Sequence, residues 1–320
     1  MPHFTFHSYL PSSAAPADAP RRAATVGFFD GVHRGHRFLI DRLCAEARQR
    51  GLQPIVVTFD EHPRQVIKPE GYWPELLTPT PAKLALLKET GLAGCAVLHF
   101  TKELAALTSR EFMARLLKAE LGVDCLVMGY DHRFGSNVGA AYRDYVTEGR
   151  EVGIEVVREL PFDCGELRVS SSATRRFLSA GNVEMAYSCL GRPYRLEGTV
   201  VEGHRKGTLL GWPTANLRPD HDEQIVPGRG VYIASARLEG FRYRAMVNVG
   251  HRPTLANGND QTIEAHLLDY EGGDLYGLPL AIDFHRRLRN ELRFASITDL
   301  QAQLARDADA VNDYFTSHTL

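Results

Sequence analysis

Gly27-Phe28-Phe29-Asp30-Gly31-Val32-His33-Arg34-Gly35-His36 stands where a short apolar run, Ala24 to Phe29, hands over to a segment with helical spacing. From His36 to Arg50, Leu39, Ile40, Leu43, Cys44 and Ala47 recur on one helical face, and Gly51 follows as a left-handed stop. A strand that turns through glycines into a helix places that turn at the carboxyl edge of a parallel sheet, where such folds bind ligands. The glycines let backbone approach a phosphate, the helix start offers free N–H groups, and the two imidazoles add donors. The spacing is not that of the GxGxxG dinucleotide fingerprint.

Outward from this turn, apolar runs recur at Ile55 to Phe59, Ala96 to Phe100, Cys125 to Met128 and Ile154 to Val157. Amphipathic stretches separate them, one of them a helix from Ser109 to Leu121 opened by a Thr108/Glu111 capping box and closed by Gly122. That alternation predicts an α/β domain with a doubly wound parallel sheet. The residues before it, with a Ser/Ala/Pro-rich stretch from Ser12 to Pro20, read as a loose lead-in without the pattern of a signal peptide.

Short helices at Ser171 to Ala180 and Val183 to Leu190 read as a bridge, and after Gly191 the period changes. Thr199 to Glu202, Val231 to Leu238, Arg242 to Val249, Thr262 to Tyr270 and Leu280 to Leu288 are β-branched, aromatic or alternating, with turns such as Glu239-Gly240 between them. They predict an antiparallel sheet or small β-barrel. One amphipathic helix ends the chain, with Leu300, Leu304, Val311 and Phe315 on one face and Thr298/Gln301 as its expected cap.

The length of 320 residues suits two domains, expected at 1–180 and 193–320 with a linker over 181–192. With 37 basic against 39 acidic residues, no global field draws the chain to nucleic acid or a charged membrane. No apolar run approaches a membrane span. Five scattered cysteines without CxxC spacing fit a cytoplasmic protein whose thiols pack rather than bridge.

The Gly27 to His36 segment resembles the HxGH signature of nucleotidyltransferases, in the form found in bacterial FAD synthetases. Val57-Thr58-Phe59-Asp60-Glu61-His62-Pro63-Arg64 is similar to that family's TFxPHPR segment, with Glu61 in place of proline. Gly129-Tyr130-Asp131-His132-Arg133-Phe134-Gly135 resembles GxDFRFG, with His132 in place of an aromatic. Ser170-Ser171-Ser172-Ala173-Thr174-Arg175 stands where the family shows SSTxIR, with Thr174 in place of isoleucine. The resemblance implies a Rossmann-like fold that joins ATP to FMN, giving FAD and pyrophosphate. It implies ATP contacts from Gly27, Phe28, Asp30, Gly31, His33, His36, Ser170, Ser171 and Arg175, and an FMN pocket at Asp60, Pro63, Arg64, Asp131 and Phe134. His33 and His36 would be the catalytic donors, each lowering the barrier by ~3 kcal/mol as charge builds on the α-phosphate.

Leu190 to Leu217 is similar to the riboflavin kinase domain, with Gly203, Lys206 and Gly207 in a glycine-rich loop and Pro213-Thr214-Ala215-Asn216 after it. The resemblance implies ATP binding by these loop residues, with Thr214 and Asn216 holding Mg²⁺, a hard cation that takes oxygen ligands. Further matches run through Asn248 to Thr254, Glu264 to Gly277 and Arg287 to Glu291. Glu264 would be the catalytic base for the riboflavin hydroxyl, with FMN and ADP as products, and Arg289 a flavin contact. The motifs thus span nearly the whole chain. Two other readings stay open: a nucleotidyltransferase for another acceptor, and a flavin or nucleotide binder without turnover. The intact His33, His36, Thr214, Asn216 and Glu264 weigh against the second.

Overall fold

The computed structural model describes residues 5–9, 20–67, 75–130, 132–136, 141–165, 167–202, 212–251 and 261–318, with side chains for all of these but 5–9, 64 and 251. The chain divides into two compact units, Met1–Pro74 with Thr78–Val169 and Glu75–Leu77 with Ser170–Leu320.

The first unit runs β1 (Thr5–Tyr9), β2 (Arg22–Val26), α1 (Arg34–Arg50), β3 (Gln53–Phe59), α2 (Pro63–Ile67), α3 (Thr80–Lys88), β4 (Gly94–Leu98) and α4 (Lys102–Ala106). It continues with α5 (Ser109–Phe112), a π-helical stretch (Met113–Glu120), β5 (Val123–Met128), α6 (Tyr142–Glu151) and β6 (Glu155–Arg158). The strands order as β1-β4-β3-β2-β5-β6, every pair parallel. Successive side chains point to opposite faces. Val57, Ala96 and Leu126 therefore pack against Met113, Leu117 and Tyr145, whereas Val56, Cys95 and Val127 pack against Ile40, Leu43 and Leu87. Helices cover both faces, which is the expected double winding. Burying each such aliphatic side chain stabilises by about 1.5–3 kcal/mol.

Two details correct the sequence reading. The expected loose lead-in contains β1, which pairs along all of β4 from Thr5↔Gly94 to Tyr9↔Leu98. It gives β4's outer N–H and C=O groups partners they would otherwise lack; a five-residue strand ahead of a Ser/Ala/Pro-rich run carries little periodic signal. The helix after Thr108 has its expected capping box, the Glu111 carboxylate accepting from Thr108 N–H at 2.8 Å. It then widens into π geometry, which places the adjacent Leu116 and Leu117 both against the sheet.

The second unit runs α7 (Ser171–Ser179), α8 (Val183–Leu190), β7 (Tyr194–Val201), β8 (Ala215–Pro219), β9 (Gly230–Leu238), β10 (Phe241–His251), β11 (Gln261–Leu267), β12 (Pro279–Arg289) and α9 (Ile297–Ser317). The strands close a barrel in the order β10-β11-β8-β7-β12-β9, antiparallel throughout. Glu239 and Gly240, both with positive φ, make the tight β9–β10 turn. Ala215, Ala234, Ala236, Ala245 and Ala265 face the interior, because a six-stranded barrel is too narrow for large side chains throughout. Leu178, Val183, Ala186 and Leu190 of α7 and α8 join the same core. No disulfide joins the five cysteines, and burial pushes the Cys95 thiol up to about 12 and the Cys125 thiol up to about 11.

Helix α9 lies on the outer face of β9 and β10, with Ala308, Val311 and Leu304 on Val231, Ile233 and Met246. Its cap is Ser296 rather than Thr298: the Ser296 hydroxyl accepts from Asp299 N–H at 3.1 Å and donates to the Asp299 carboxylate at 2.7 Å. An acid in the first turn also suits the positive end of the helix. Asp307, 2% exposed, anchors the helix by accepting from Arg289 Nε at 3.0 Å and Nη2 at 2.6 Å. Breaking a buried pair by removing one charge costs about 3–5 kcal/mol. Asp307→Asn should therefore lower the unfolding free energy of the second unit by about that amount, read by urea denaturation with barrel-specific probes.

Candidate active sites

In the first unit the sheet order reverses at β2, whose neighbours are β3 on one side and β5 on the other. The loop after β2 therefore opens at the topological switch point, where a crevice forms between diverging crossovers. Phe29, Gly31 and Val32 adopt φ of 55°, 82° and 37°. A β-branched residue in left-handed backbone costs about 1–3 kcal/mol and persists only when its surroundings enforce it. Three braces do so. Val32 N–H donates to Phe29 O at 3.0 Å, Gly31 N–H donates to Thr78 Oγ1 at 3.0 Å, and Thr78 N–H donates to Asp30 Oδ1 at 3.0 Å. At Gly27 an added Cβ would lie 2.9 Å from the Phe29 ring.

His33 caps α1, its Nδ1 accepting from His36 N–H at 3.2 Å. An accepting Nδ1 leaves Nε2 as the protonated, donating nitrogen. The two rings stack at 3.5 Å and 14°, and Phe29 meets the His36 ring edge-on at 5.1 Å. The expected pair of imidazoles is thus one ordered unit at the helix start. Asp30 is 2% exposed and turned inward onto Thr78, so in this structure it shapes the loop.

Phe28 faces His62 at 4.7 Å, and its carbonyl accepts from Thr58 Oγ1 at 3.1 Å and from Lys83 Nζ at 3.2 Å. Asp60 is braced as well. Its carboxylate meets His99 Nδ1 at 2.7 Å and accepts from Glu61 N–H at 2.8 Å and Phe100 N–H at 3.2 Å. Partial burial acts to raise its pKa, and the His99 contact with the two N–H donors outweighs it, holding the carboxyl below the usual range. Pro63 starts α2. Phe134 packs on Phe112 at 5.3 Å and exchanges two hydrogen bonds with the Tyr145 hydroxyl, at 3.1 and 2.8 Å. Asp131 and the side chain of Arg64 lie outside the described residues.

Thr78 and Lys83 escaped the sequence reading. Lys83 is 1% exposed, and burial lowers its pKa to about 8. The available signal was its i,i+4 spacing with Leu87, which puts a lysine on the buried face of α3.

Ser170, Ser171 and Arg175 belong to the second unit. Ser170 caps α7 by accepting from Ala173 N–H at 3.1 Å, and Arg175 Nε donates to Glu75 O at 2.7 Å. The buried Thr174 fills its site by donating its hydroxyl to Ser170 O at 2.9 Å. That bond accounts for a hydroxyl where an isoleucine was expected.

On the barrel, β11 alternates as the sequence predicts, with Ile263, Ala265 and Leu267 inward and Glu264 and His266 outward. Glu264 stands opposite Asn216 of β8 and opposite Asn248 of β10, so three polar residues cross adjacent strands in one row. A cavity of about 580 Å³ is lined by the polar residues Thr214, Asn248, Glu264, His266, Arg289 and Glu291. The apolar and aromatic residues lining it are Trp212, Val231, Met246, Leu292, Phe294, Leu300 and Leu304. Trp212, His266 and Asn248 carried no assigned role in the sequence reading. His266 Nδ1 lies 2.7 Å from Pro213 O and its ring meets Trp212 at 4.9 Å, so it holds the residue preceding Thr214. Burial lowers the His266 pKa more than the Pro213 bond raises it.

Arg289 lines the cavity, with its guanidinium directed to Asp307 and to Asn290 O. Gly203, Lys206 and Gly207 lie outside the described residues. Thr214 and Glu264 line the cavity and Asn216 pairs with Glu264 across β8 and β11; hydroxyl and amide oxygens such as those of Thr214 and Asn216 are hard donors, the type Mg²⁺ prefers. Among the described residues no group of three or more His, Cys, Asp or Glu is placed to hold a metal ion.

The family model for FAD synthetase matches residues 15–173, and that for riboflavin kinase matches residues 190–315. The bifunctional riboflavin kinase/FMN adenylyltransferase of Escherichia coli K12 is 37% identical over 292 residues, covering 91% of this chain and 92% of that protein. The protein of the same name from Pseudomonas fluorescens is 36% identical over 293 residues, covering 90% and 91%. A crystal structure described as a macrolide-efflux protein from Streptococcus pneumoniae superposes with a TM-score of 0.85 at 29% identity, covering 93% of this chain and 95% of that one. Among the described residues no helix is long and apolar enough to cross a membrane. With two family models in tandem and relatives matched over nine-tenths of their length, the chain belongs to the bifunctional riboflavin kinase/FMN adenylyltransferase family.

Proposed function

We propose that the barrel unit transfers the γ-phosphoryl group of ATP to the 5′-hydroxyl of riboflavin, releasing ADP. The histidine-loop unit then transfers the adenylyl group of a second ATP to the resulting FMN, releasing pyrophosphate and giving FAD. The observation that carries the kinase half is the row Asn216–Glu264–Asn248 beside a cavity with an extended apolar wall. Glu264 accepts the hydroxyl proton as the oxygen attacks, a contribution of about 10²–10⁴-fold. Trp212, Phe294 and Leu304 offer the flat isoalloxazine an apolar surface, and the polar side receives the ribityl chain and phosphates. Thr214 and Asn216 would hold Mg²⁺, which supplies charge neutralisation on the phosphate oxygens. His266 fixes the Pro213 carbonyl and so orients Thr214.

In the first unit the His33 Nε2–H group and the His36 imidazole, with the start of α1, face the charge that develops on the α-phosphate and the departing pyrophosphate. We assign the adenylyltransferase to 1–180 and the kinase to 193–320; the FAD synthetase match over 15–173 and the riboflavin kinase match over 190–315 support this division. Five unbridged cysteines support a cytoplasmic setting.

Separate sites make separable activities. Glu264→Gln should abolish FMN formation from riboflavin, ATP and Mg²⁺ while FMN-to-FAD conversion persists, and His36→Ala should do the reverse, with products followed by chromatography. A folded Glu264→Gln protein that lost both steps would sink the assignment. His266 provides a pH test. Its folded pKa lies below its unfolded value of about 6.5, so the unfolded chain binds the proton more readily. The stability of wild type relative to His266→Gln should therefore fall as pH drops from about 7 to about 5, measured by urea denaturation.

A further inference from the structure

The start of α3 touches both segments that flank the carboxyl ends of β2 and β3. Thr78 grips the Asp30–Gly31 turn, and Thr80 Oγ1 donates to Asp60 O at 3.0 Å. Between these contacts Lys83 Nζ donates to Phe28 O at 3.2 Å and to Phe59 O at 2.8 Å, and lies 4.2 Å from the centre of the Phe28 ring. Phe28 belongs to the nucleotide loop, and Phe59 immediately precedes Asp60 and the segment assigned to FMN. Burying an ammonium is costly, and an aliphatic residue beside Leu87 would avoid that cost. What the lysine adds is a charged donor that binds two backbone carbonyls at once, one from the loop after β2 and one from the end of β3.

Resting on the assignment of residues 27–36 to ATP and of residues 60–64 to FMN, we infer that Lys83 is a positioning residue for adenylyl transfer. Its ammonium clamps the Phe28 and Phe59 carbonyls and so sets the gap between the two substrate loops. In-line attack of the FMN phosphate on the α-phosphate depends on that gap, and a displacement of about 1 Å can cost about 10²-fold in rate. The titratable groups that bear on Lys83 are Asp30, Cys95 and Asp60. Asp30 and Asp60 already accept hydrogen bonds from Thr78 and from Glu61 and Phe100. With its pKa near about 8, Lys83 loses its charge in mildly alkaline solution; the neutral amine still donates, but to both carbonyls more weakly.

The full chain contains its own control, since riboflavin phosphorylation uses the other unit. Lys83→Met should reduce kcat/KM for FMN-to-FAD conversion by about tenfold or more, with riboflavin phosphorylation within about twofold of wild type. Wild-type adenylylation should fall several-fold between about pH 7 and about pH 9, and Lys83→Arg, which stays charged, should lack that fall. A folded Lys83→Met protein with wild-type adenylylation, or a Lys83→Arg protein that keeps the wild-type alkaline limb, overturns the inference. Should neither variant fold, a wild-type adenylylation profile flat across that range overturns it. His36→Ala with undiminished FAD formation would instead overturn the assignment of the loop itself.

Discussion

Backbone held in an unfavourable conformation is the constraint on which the first unit's chemistry depends. Phe29, Gly31 and Val32 turn the chain through left-handed space between β2 and α1, and only the glycine does so without cost. The buried Phe29 and Val32 side chains and the Thr78 bonds hold the loop there. That turn sets the direction in which α1 begins, and α1's first residues carry the stacked histidines. Several side chains that a motif would assign to substrate therefore also serve the loop itself, Asp30 above all.

The barrel solves a different problem. Six strands enclose a core of alanines, valines and leucines with no room for a ligand, so the site lies on the outside of the wall. Polar residues on an outer strand face ordinarily meet water. Here α9, fastened through Asp307 to Arg289, brings Leu300 and Leu304 over the same face and converts it into a cavity. The Arg289–Asp307 bond thus links the packing of one helix to the shape of a pocket it only partly lines.

Both folds were legible where periodicity was long or turns were unambiguous. The parallel sheet announced itself in buried runs such as Ile55 to Phe59, and the barrel in the Glu239-Gly240 turn and the alternation of β11. Short elements escaped. β1 has five residues, β8 starts within a loop-like Pro-Thr-Ala-Asn run, and α2 and α4 are single turns. The histidine pair and Glu264 could be found because a motif or an alternation isolates them. Lys83, Thr78 and His266 act through backbone carbonyls, amides or turns brought close only by folding, and no local pattern records such partners. Ser170 and Arg175 show the converse, since the motif describes them no better than plain structural roles do, a helix cap for Ser170 and a bond to the Glu75 carbonyl for Arg175.

The placement of α9 has a consequence for synthesis on the ribosome. The scaffold of the first unit is complete once Val169 has emerged, whereas the cavity on the barrel waits for Leu304 and the Asp307 anchor. Domains fold as they leave the tunnel, the N-terminal one first. A nascent chain therefore assembles the apparatus for the later chemical step before it can perform the earlier one, and no half-made protein can carry the vitamin through to the dinucleotide.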